Sequence, residues 1–290
     1  NVFVNNNNIF KNQRITQNFN NVLPFSTIRY KFSDNKVLDV KYTTSSQNPT
    51  ISQLQPVRDN SNPNFINIGN PNLLPTFMHS INLNFNSWKS ISGKYTWMGL
   101  TYNYTNNDIA TSTSYDSIGR TVSQAINVNG NYNFNGYFGT SMPFFSKKFE
   151  VGPNLWTSYT QNKSLINGLE NNTQDIRSNV SLDLRLNFEK VNAGVSGNYS
   201  YNSAYSSLNN KSNTPYSTQS VSGFINIKLP KNFNIESDAN YTINSKRSNG
   251  YNINYLVWNA SLSKTFFKKE NFIIYSIKLF LNRRKRLIYL

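Results

Sequence analysis

Apolar and polar residues alternate with a period of two along most of this chain, the spacing of a strand and not of a helix. Residues 176–188 show it most clearly. Ile176, Val180, Leu182, Leu184, Leu186 and Phe188 fall on one face, and Arg177, Asn179, Ser181, Asp183, Arg185 and Asn187 on the other. The same sorting predicts strands over 77–85, 122–134, 191–201 and 233–243. Weaker alternation predicts further strands at 22–33, 36–47, 94–110, 149–163, 215–229, 251–267 and 271–281, about 12 in all, many of them 10 residues or longer. The predicted connections alternate in length. Asp34-Asn35, Glu189-Lys190, Pro230-Lys231-Asn232 and Lys268-Lys269-Glu270-Asn271 are short, whereas 48–75, 111–119, 164–172, 203–214 and 244–250 are long. Short turns at one end and long polar loops at the other fit an antiparallel up-and-down β-barrel that crosses a membrane, with the short turns in the periplasm.

Composition sharpens that choice over a soluble sandwich. Hydrophobic residues make up 37% of the chain, too few for the dense aliphatic core between two soluble sheets. Aromatics are abundant, with 18 Tyr, 20 Phe and 4 Trp, which also excludes a disordered polar chain. Asn reaches roughly 18% of all residues, far above ordinary usage. One apolar face and one wet face account for this mixture. Tyr30, Tyr42, Trp88, Tyr104, Tyr199, Tyr241, Tyr255 and Trp258 sit near strand ends and are expected in interfacial girdles. Arg29, Lys41, Asp183, Arg185, Glu236 and Asp238 are expected to line a watery lumen. No run of about 18 apolar residues is present, so no transmembrane helix is predicted. The first residues, Asn1-Val2-Phe3-Val4-Asn5, do not resemble a signal peptide, and the expectation is that the chain starts inside a longer protein.

Charge and candidate chemistry change this picture little. The net charge is +16, but most Lys and Arg are spread singly along strands or in turns. The one dense run, Arg283-Arg284-Lys285-Arg286, is a weak footprint for nucleic acid, and no nucleic-acid partner is expected. There is no Cys and a single His, His79, so neither a disulfide framework nor a His- or thiolate-rich metal centre is available. The Gly-x-Ser-x-Gly, His-Glu-x-x-His and phosphate-loop patterns are missing. Glu236 and Asp238 lie two apart on one strand face, about 7 Å from each other, a separation compatible with a glycosidase pair. Two solvated lumen charges are the simpler reading. His79 falls on the apolar face beside Ile81 as an interfacial residue. Asp108, Asp116, Arg120 and Asp175, in or near outer loops, are candidates for a ligand, for divalent ions bridging lipopolysaccharide, or for ordinary surface charge. No enzyme activity, cofactor or bound metal is expected.

One segment goes beyond periodicity. It reads Asn48-Pro49-Thr50-Ile51-Ser52-Gln53-Leu54-Gln55-Pro56, then Asp59-Asn60-Ser61-Asn62-Pro63, then Gly69-Asn70-Pro71-Asn72-Leu73-Leu74-Pro75. Its prolines forbid a regular ladder and favour stiff extended segments, and Gly69-Asn70-Pro71 is a turn signal. Ile51, Leu54, Phe65, Ile68 and Leu73 give it apolar groups to pack, so an ordered loop over the barrel mouth is expected; a plain structured connector is the alternative. The segment resembles the barrel portion of TonB-dependent receptors of Bacteroidetes and the outer-membrane β-barrel family related to them, in which a similar stretch ends in Gly-Asn-Pro-x-Leu-x-Pro before a membrane strand. Gly130-Asn131-Tyr132-Asn133-Phe134-Asn135-Gly136-Tyr137 and Tyr255-Leu256-Val257-Trp258-Asn259-Ala260-Ser261-Leu262 are similar too, and the likeness covers about 22–270.

That resemblance implies one outer-membrane barrel domain over 1–290, part of a larger barrel whose plug is not in this chain. It implies import of a bulky nutrient energised through TonB, with outer-membrane lipid and lipopolysaccharide as surroundings. A plugless barrel with a structural, adhesion or docking role is the second expectation. Two features depart from the family. Thr76 follows the motif where Glu is common, and the chain ends Arg286-Leu287-Ile288-Tyr289-Leu290 instead of on a strand with a terminal aromatic. A truncated or frameshifted end near 271–281 is therefore expected.

Overall fold

Alternating strands joined in sequence order pair with their neighbours, because short connections allow only antiparallel hairpins. The computed structural model describes residues 2–8, 13–56, 58–209, 215–245, 254–266 and 270–283. In chain order the elements are β1 (Val2–Asn8), β2 (Gln13–Phe19), β3 (Phe25–Ser33), β4 (Lys36–Gln47), α1 (Ile51–Leu54), β5 (Arg58–Asn62), β6 (Phe65–Ile68), β7 (Thr76–Lys89), β8 (Lys94–Asn106) and β9 (Asp108–Tyr115). They continue with β10 (Thr121–Val128), β11 (Asn131–Phe144), β12 (Phe149–Ile166), β13 (Leu169–Asn187), β14 (Val191–Ser206), β15 (Tyr216–Leu229), β16 (Phe233–Asn244), β17 (Asn254–Phe266) and β18 (Glu270–Arg283).

Twelve strands form the wall of an up-and-down barrel in the order β3-β4-β7-β8-β11-β12-β13-β14-β15-β16-β17-β18, every neighbouring pair antiparallel. β1 and β2 make a separate two-stranded hairpin. β3 and β18 bound the wall, and among the described residues they are not paired with each other. β18 runs along β17 from Glu270 to Arg283. The expected strand at 271–281 is therefore present, while the rest of the basic run lies outside the described residues.

Register divides the wall into two faces. Leu155 pairs with Val180, Val180 with Tyr199, and Ile81 with Tyr102, so one apolar face runs continuously across the strands. Val180, Leu182, Leu184, Val195 and Val221 keep about half their surface exposed. Covering such side chains with lipid contributes on the order of 1 kcal/mol each. The opposite face is stitched by side-chain amides. Asn82 accepts from Thr101 at 2.8 Å, Asn103 donates to Asn133 at 2.9 Å, and Asn179 donates to Ser200 at 2.7 Å. An amide carries both donors and an acceptor, which gives the high Asn content a physical role on a wet inner face.

Four predicted segments are corrected. The strand 94–110 breaks at Asn107, whose φ of 51° ends β8, and 122–134 breaks at Gly130 (φ 93°) between β10 and β11. The chain thus leaves the wall at Asn107 and returns at Asn131, and most of the loop expected at 111–119 is instead the hairpin β9–β10. The loop expected at 164–172 is strand up to a two-residue turn. Asn167 and Gly168, at φ 52° and 77°, supply the two left-handed residues that such a hairpin turn needs.

The short-turn end carries a rim of lysines over aromatic rings. Lys36 stands 4.8 Å from the Phe32 centroid, Lys148 5.8 Å from Phe188, and Lys264 4.8 Å from Phe233. Long cationic side chains that cover apolar rings while reaching polar headgroups mark a membrane boundary.

Candidate functional site

Among the described residues Leu54, Ile66 and Leu73 are fully buried, each 1% exposed, and Val128 is buried at 9%. None lies in the main body of the wall. They belong to a module at the long-connection end, built from residues 48–75 and the hairpin β9–β10. β6 joins β10 in parallel, Phe65 opposite Thr121 through Ile68 opposite Gln124, and β5 pairs with β6. β9 leans on the end of β12 at Leu165 and Ile166.

Local chemistry explains the shape. Pro49 is buried where the chain leaves β4. Thr50 then caps the single turn of α1: its hydroxyl accepts from the Gln53 N–H, and the Gln53 side chain accepts from the Thr50 N–H at 2.9 Å. At the other end of the segment the Asn70 N–H donates to the Gln53 carbonyl at 2.6 Å. The backbones then approach so closely that a Cβ on Gly69 would lie 1.7 Å from the Gln55 oxygen. The Asn70 side chain accepts from the Asn72 N–H at 3.0 Å, a local turn, and donates to the Ala125 carbonyl at 3.0 Å. Asn127 on β10 fastens the far side: it accepts from the Leu74 N–H at 2.8 Å and donates to the carbonyls of Leu74 and Asn107.

Of the sequence motif, Gln53, Leu54, Gly69, Asn70 and Leu73 meet in this joint, with Asn48 and Pro49 leading in and Pro71 and Pro75 leading out. Pro56 and Pro63 are exposed. Ile51 and Phe65, expected to pack, are 52% and 40% exposed. Ile51 opens a one-turn helix and Phe65 opens β6 just after the β5–β6 turn, and both face solvent, whereas Ile66 takes the buried place. Sequence reading missed Ile66, Val128 and Asn127. Asn127 looks like every other strand asparagine, and only the break at Gly130 separates it from the wall.

Between α1, β6, β9 and β10 lies a cavity of about 420 Å³ walled by Ser52, Gln53, Gln55, Asn67, Thr111 and Ser123, among others. Its polar lining is hydroxyl and amide, without a charged side chain, and suits neutral hydrogen-bonding groups.

A family model described as "Outer membrane protein beta-barrel family" matches residues 1–219. The chain belongs to that family. A search of curated proteins found no match.

As an outer-membrane barrel the protein resides in the cell outer membrane. The short turns then face the periplasm and the module lies on the outer side. Register corrects two of the expected girdle residues. Trp88 pairs with Tyr95 and Tyr255 with Thr242, which puts both on the polar, lumen face. Tyr95, Trp97, Tyr137 and Trp156 join Trp88 on that face by the same parity. The Tyr95 hydroxyl donates to Asn86 at 2.9 Å and the Tyr137 hydroxyl to Asn84 at 3.0 Å, while the Trp97 ring lies against Gly139. The lumen wall of this barrel therefore offers flat, half-exposed rings held by amides.

The charged candidates do not converge. Asp108 begins β9 and accepts from Asn131 at 2.6 Å, Asp175 lies within β13, and Asp116 pairs with Arg120 at 2.6 Å across the β9–β10 turn. Among the described residues no group of three metal-ligating side chains forms. Asp238 accepts from Asn259 at 2.8 Å on the lumen face. His79 sits on the apolar face, its ring nitrogens in hydrogen-bond contact with the Tyr42 hydroxyl at 2.8 Å and the Asn106 amide at 3.2 Å.

The Arg120 guanidinium, followed by the Arg120 backbone N–H, holds the Asp116 carboxyl below its ordinary range. A carboxylate with a lowered folded pKa stabilises its turn above the ordinary aspartate range and loses that contribution as pH falls through the lowered value. The Ile118 and Arg120 amide resonances are thus expected to titrate together at a pH below the ordinary aspartate range, and Asp116→Asn abolishes that titration. A midpoint at or above the ordinary value would contradict the pairing.

Proposed function

We propose that this outer-membrane barrel is the barrel portion of a TonB-dependent receptor-like transporter that imports a bulky nutrient, without catalytic chemistry of its own. The observation that carries the reading is the outer module. Its four buried apolar side chains give it a core of its own, although the wall needs no such core to stand in lipid. Ordered outer loops are what a receptor uses to select cargo before admitting it. The Gly69-Asn70-Pro71-Asn72-Leu73-Leu74-Pro75 motif, on which the receptor likeness rests, forms the joint of that module. The neutral outer cavity and the half-exposed Trp88, Trp156 and Tyr137 on the lumen face add to it, because aromatic and amide surfaces hold a polar, uncharged cargo weakly enough to release it.

A second reading uses the same module as a docking surface on a plugless barrel. It is favoured by the cavity lying among module residues only, so that a bound partner needs no lumen. The sequence immediately upstream of Asn1 in the gene separates the two. Transport predicts a compact plug domain preceded by a short periplasmic TonB-contacting segment. A secretion signal directly before Asn1 would contradict transport and leave the docking role.

A further inference from the structure

We propose that the lipid-facing side of β11–β16 is a binding site for an anionic glycerophospholipid of the periplasmic leaflet, an acyl chain lying in an apolar groove and the phosphate resting on lysines of the adjoining turns. The groove has a volume of about 680 Å³. Its high side is made by Phe144, Phe149 and Leu186, its low side by Ala193, Gly223 and Ala239. Register places all six on the apolar face. Phe144 pairs with Phe149, Phe149 with Leu186, Leu186 with Ala193, Gly223 with Val195 and Gly223 with Ala239. Three neighbouring strands that present a methyl group or only hydrogen, beside strands that present rings and isobutyl groups, leave a trench in the wall.

Position and charge choose the occupant. The trench opens on hydrocarbon; Glu150, Arg185 and Asp238 border it, but register sets all three on the lumen face, so an acyl chain fills it without leaving a polar group unsatisfied. At its periplasmic end the turns 145–148, 188–190 and 230–232 carry Lys147, Lys148, Lys190 and Lys231 against the single acid Glu189. Phe145 and Phe188, 74% and 44% exposed, stand at the same level, where rings favour the headgroup region. A cationic rim below an apolar trench matches a phosphate below its tail, with each lysine adding to the attraction. The site depends on the barrel's place in the outer membrane and not on the transport reading.

The test is native mass spectrometry of the full protein, purified in mild detergent and exposed to equal amounts of dioleoyl phosphatidylglycerol, phosphatidylethanolamine and phosphatidylcholine. The expected result is one phosphatidylglycerol retained over phosphatidylcholine by about tenfold. Changing Lys147, Lys148, Lys190 and Lys231 together to Gln reduces that preference to less than about twofold. Gly223→Leu fills the trench and removes the retained lipid. A Cβ there meets nothing nearer than the Gly194 carbonyl at 3.5 Å, so this variant keeps the heat-dependent gel shift of a folded barrel. Equal retention of the three lipids by the wild type overturns the proposal, as does undiminished phosphatidylglycerol on either variant. Displacement of the lipid by lipid A, or a dimer that excludes lipid from Gly223, overturns it too.

Discussion

Gly69→Val unseats the outer module and leaves the wall standing. A side chain at Gly69 starts 1.7 Å from the Gln55 oxygen, and the nearest atoms are all backbone, so no rotamer change relieves the overlap. Either the Asn70 N–H to Gln53 carbonyl bond breaks or α1 moves as a body. Both withdraw Leu54 from the small core it shares with Ile66 and Leu73. Overpacking of a tight site costs about 1–3 kcal/mol, and losing a buried leucine contact costs about 2–5 kcal/mol. A core this small does not absorb that sum. Limited proteolysis is expected to cut the variant within 48–75 at least about tenfold faster than the parent, since opening free energy sets the accessible fraction. The barrel's heat-dependent gel mobility stays unchanged. Equal protection of the two proteins would show that the loop is not held by this joint.

The second large effect concerns the wall. Val180→Arg puts a cation at the middle of the lipid face of β13, where Val180 is 50% exposed between Leu155 and Tyr199. Near the bilayer midplane that substitution costs about 2–4 kcal/mol. Ser181→Arg, one residue on, faces the lumen beside Asn154 and Asp183. It is expected to change stability by no more than about 0.5 kcal/mol, as for an ordinary wet surface. Urea-dependent folding into phosphatidylcholine vesicles measures both. Equal costs for the two neighbours would mean that the faces are not sorted as register assigns them.

The wall was legible because its period carries the signal. In residues 176–188 every second side chain except Ser178 is apolar, and β13 follows that parity to its last residue. Turns were less legible. Asn167-Gly168 is a strong hairpin signal, yet the polar runs 161–164 and 170–175 outside Leu165, Ile166 and Leu169 give the stretch the look of a loop. The breaks at Asn107 and Gly130 were hidden as well. Alternation continues through Gly130, while at Asn107 the polar run Thr105-Asn106-Asn107-Asp108 carries no apolar phase whose loss would mark a break, so backbone conformation separates β8 from β9 and β10 from β11. Trp88 and Tyr255 were given to the wrong face because an aromatic near a strand end suggests a girdle, whereas parity with Asn86 and Asn259 decides the matter. Within the module, Leu54, Gly69 and Asn70 stood out by type and spacing. Ile66, Val128 and Asn127 did not, since long-range pairing of β6 with β10 leaves no local trace.

The central claim is a membrane-spanning wall with lipid on one face and water on the other. The protein has no cysteine, so single cysteines introduced one by one from Ile176 to Asn187 report their own surroundings without interference. Labelled with an environment-sensitive fluorophore in reconstituted vesicles, they are expected to alternate. Positions 176, 178, 180, 182, 184 and 186 give blue-shifted emission quenched by spin-labelled lipid, and the odd positions give emission quenched by a water-soluble ion. Emission without a period of two, or water-soluble quenching at every position, would contradict the barrel.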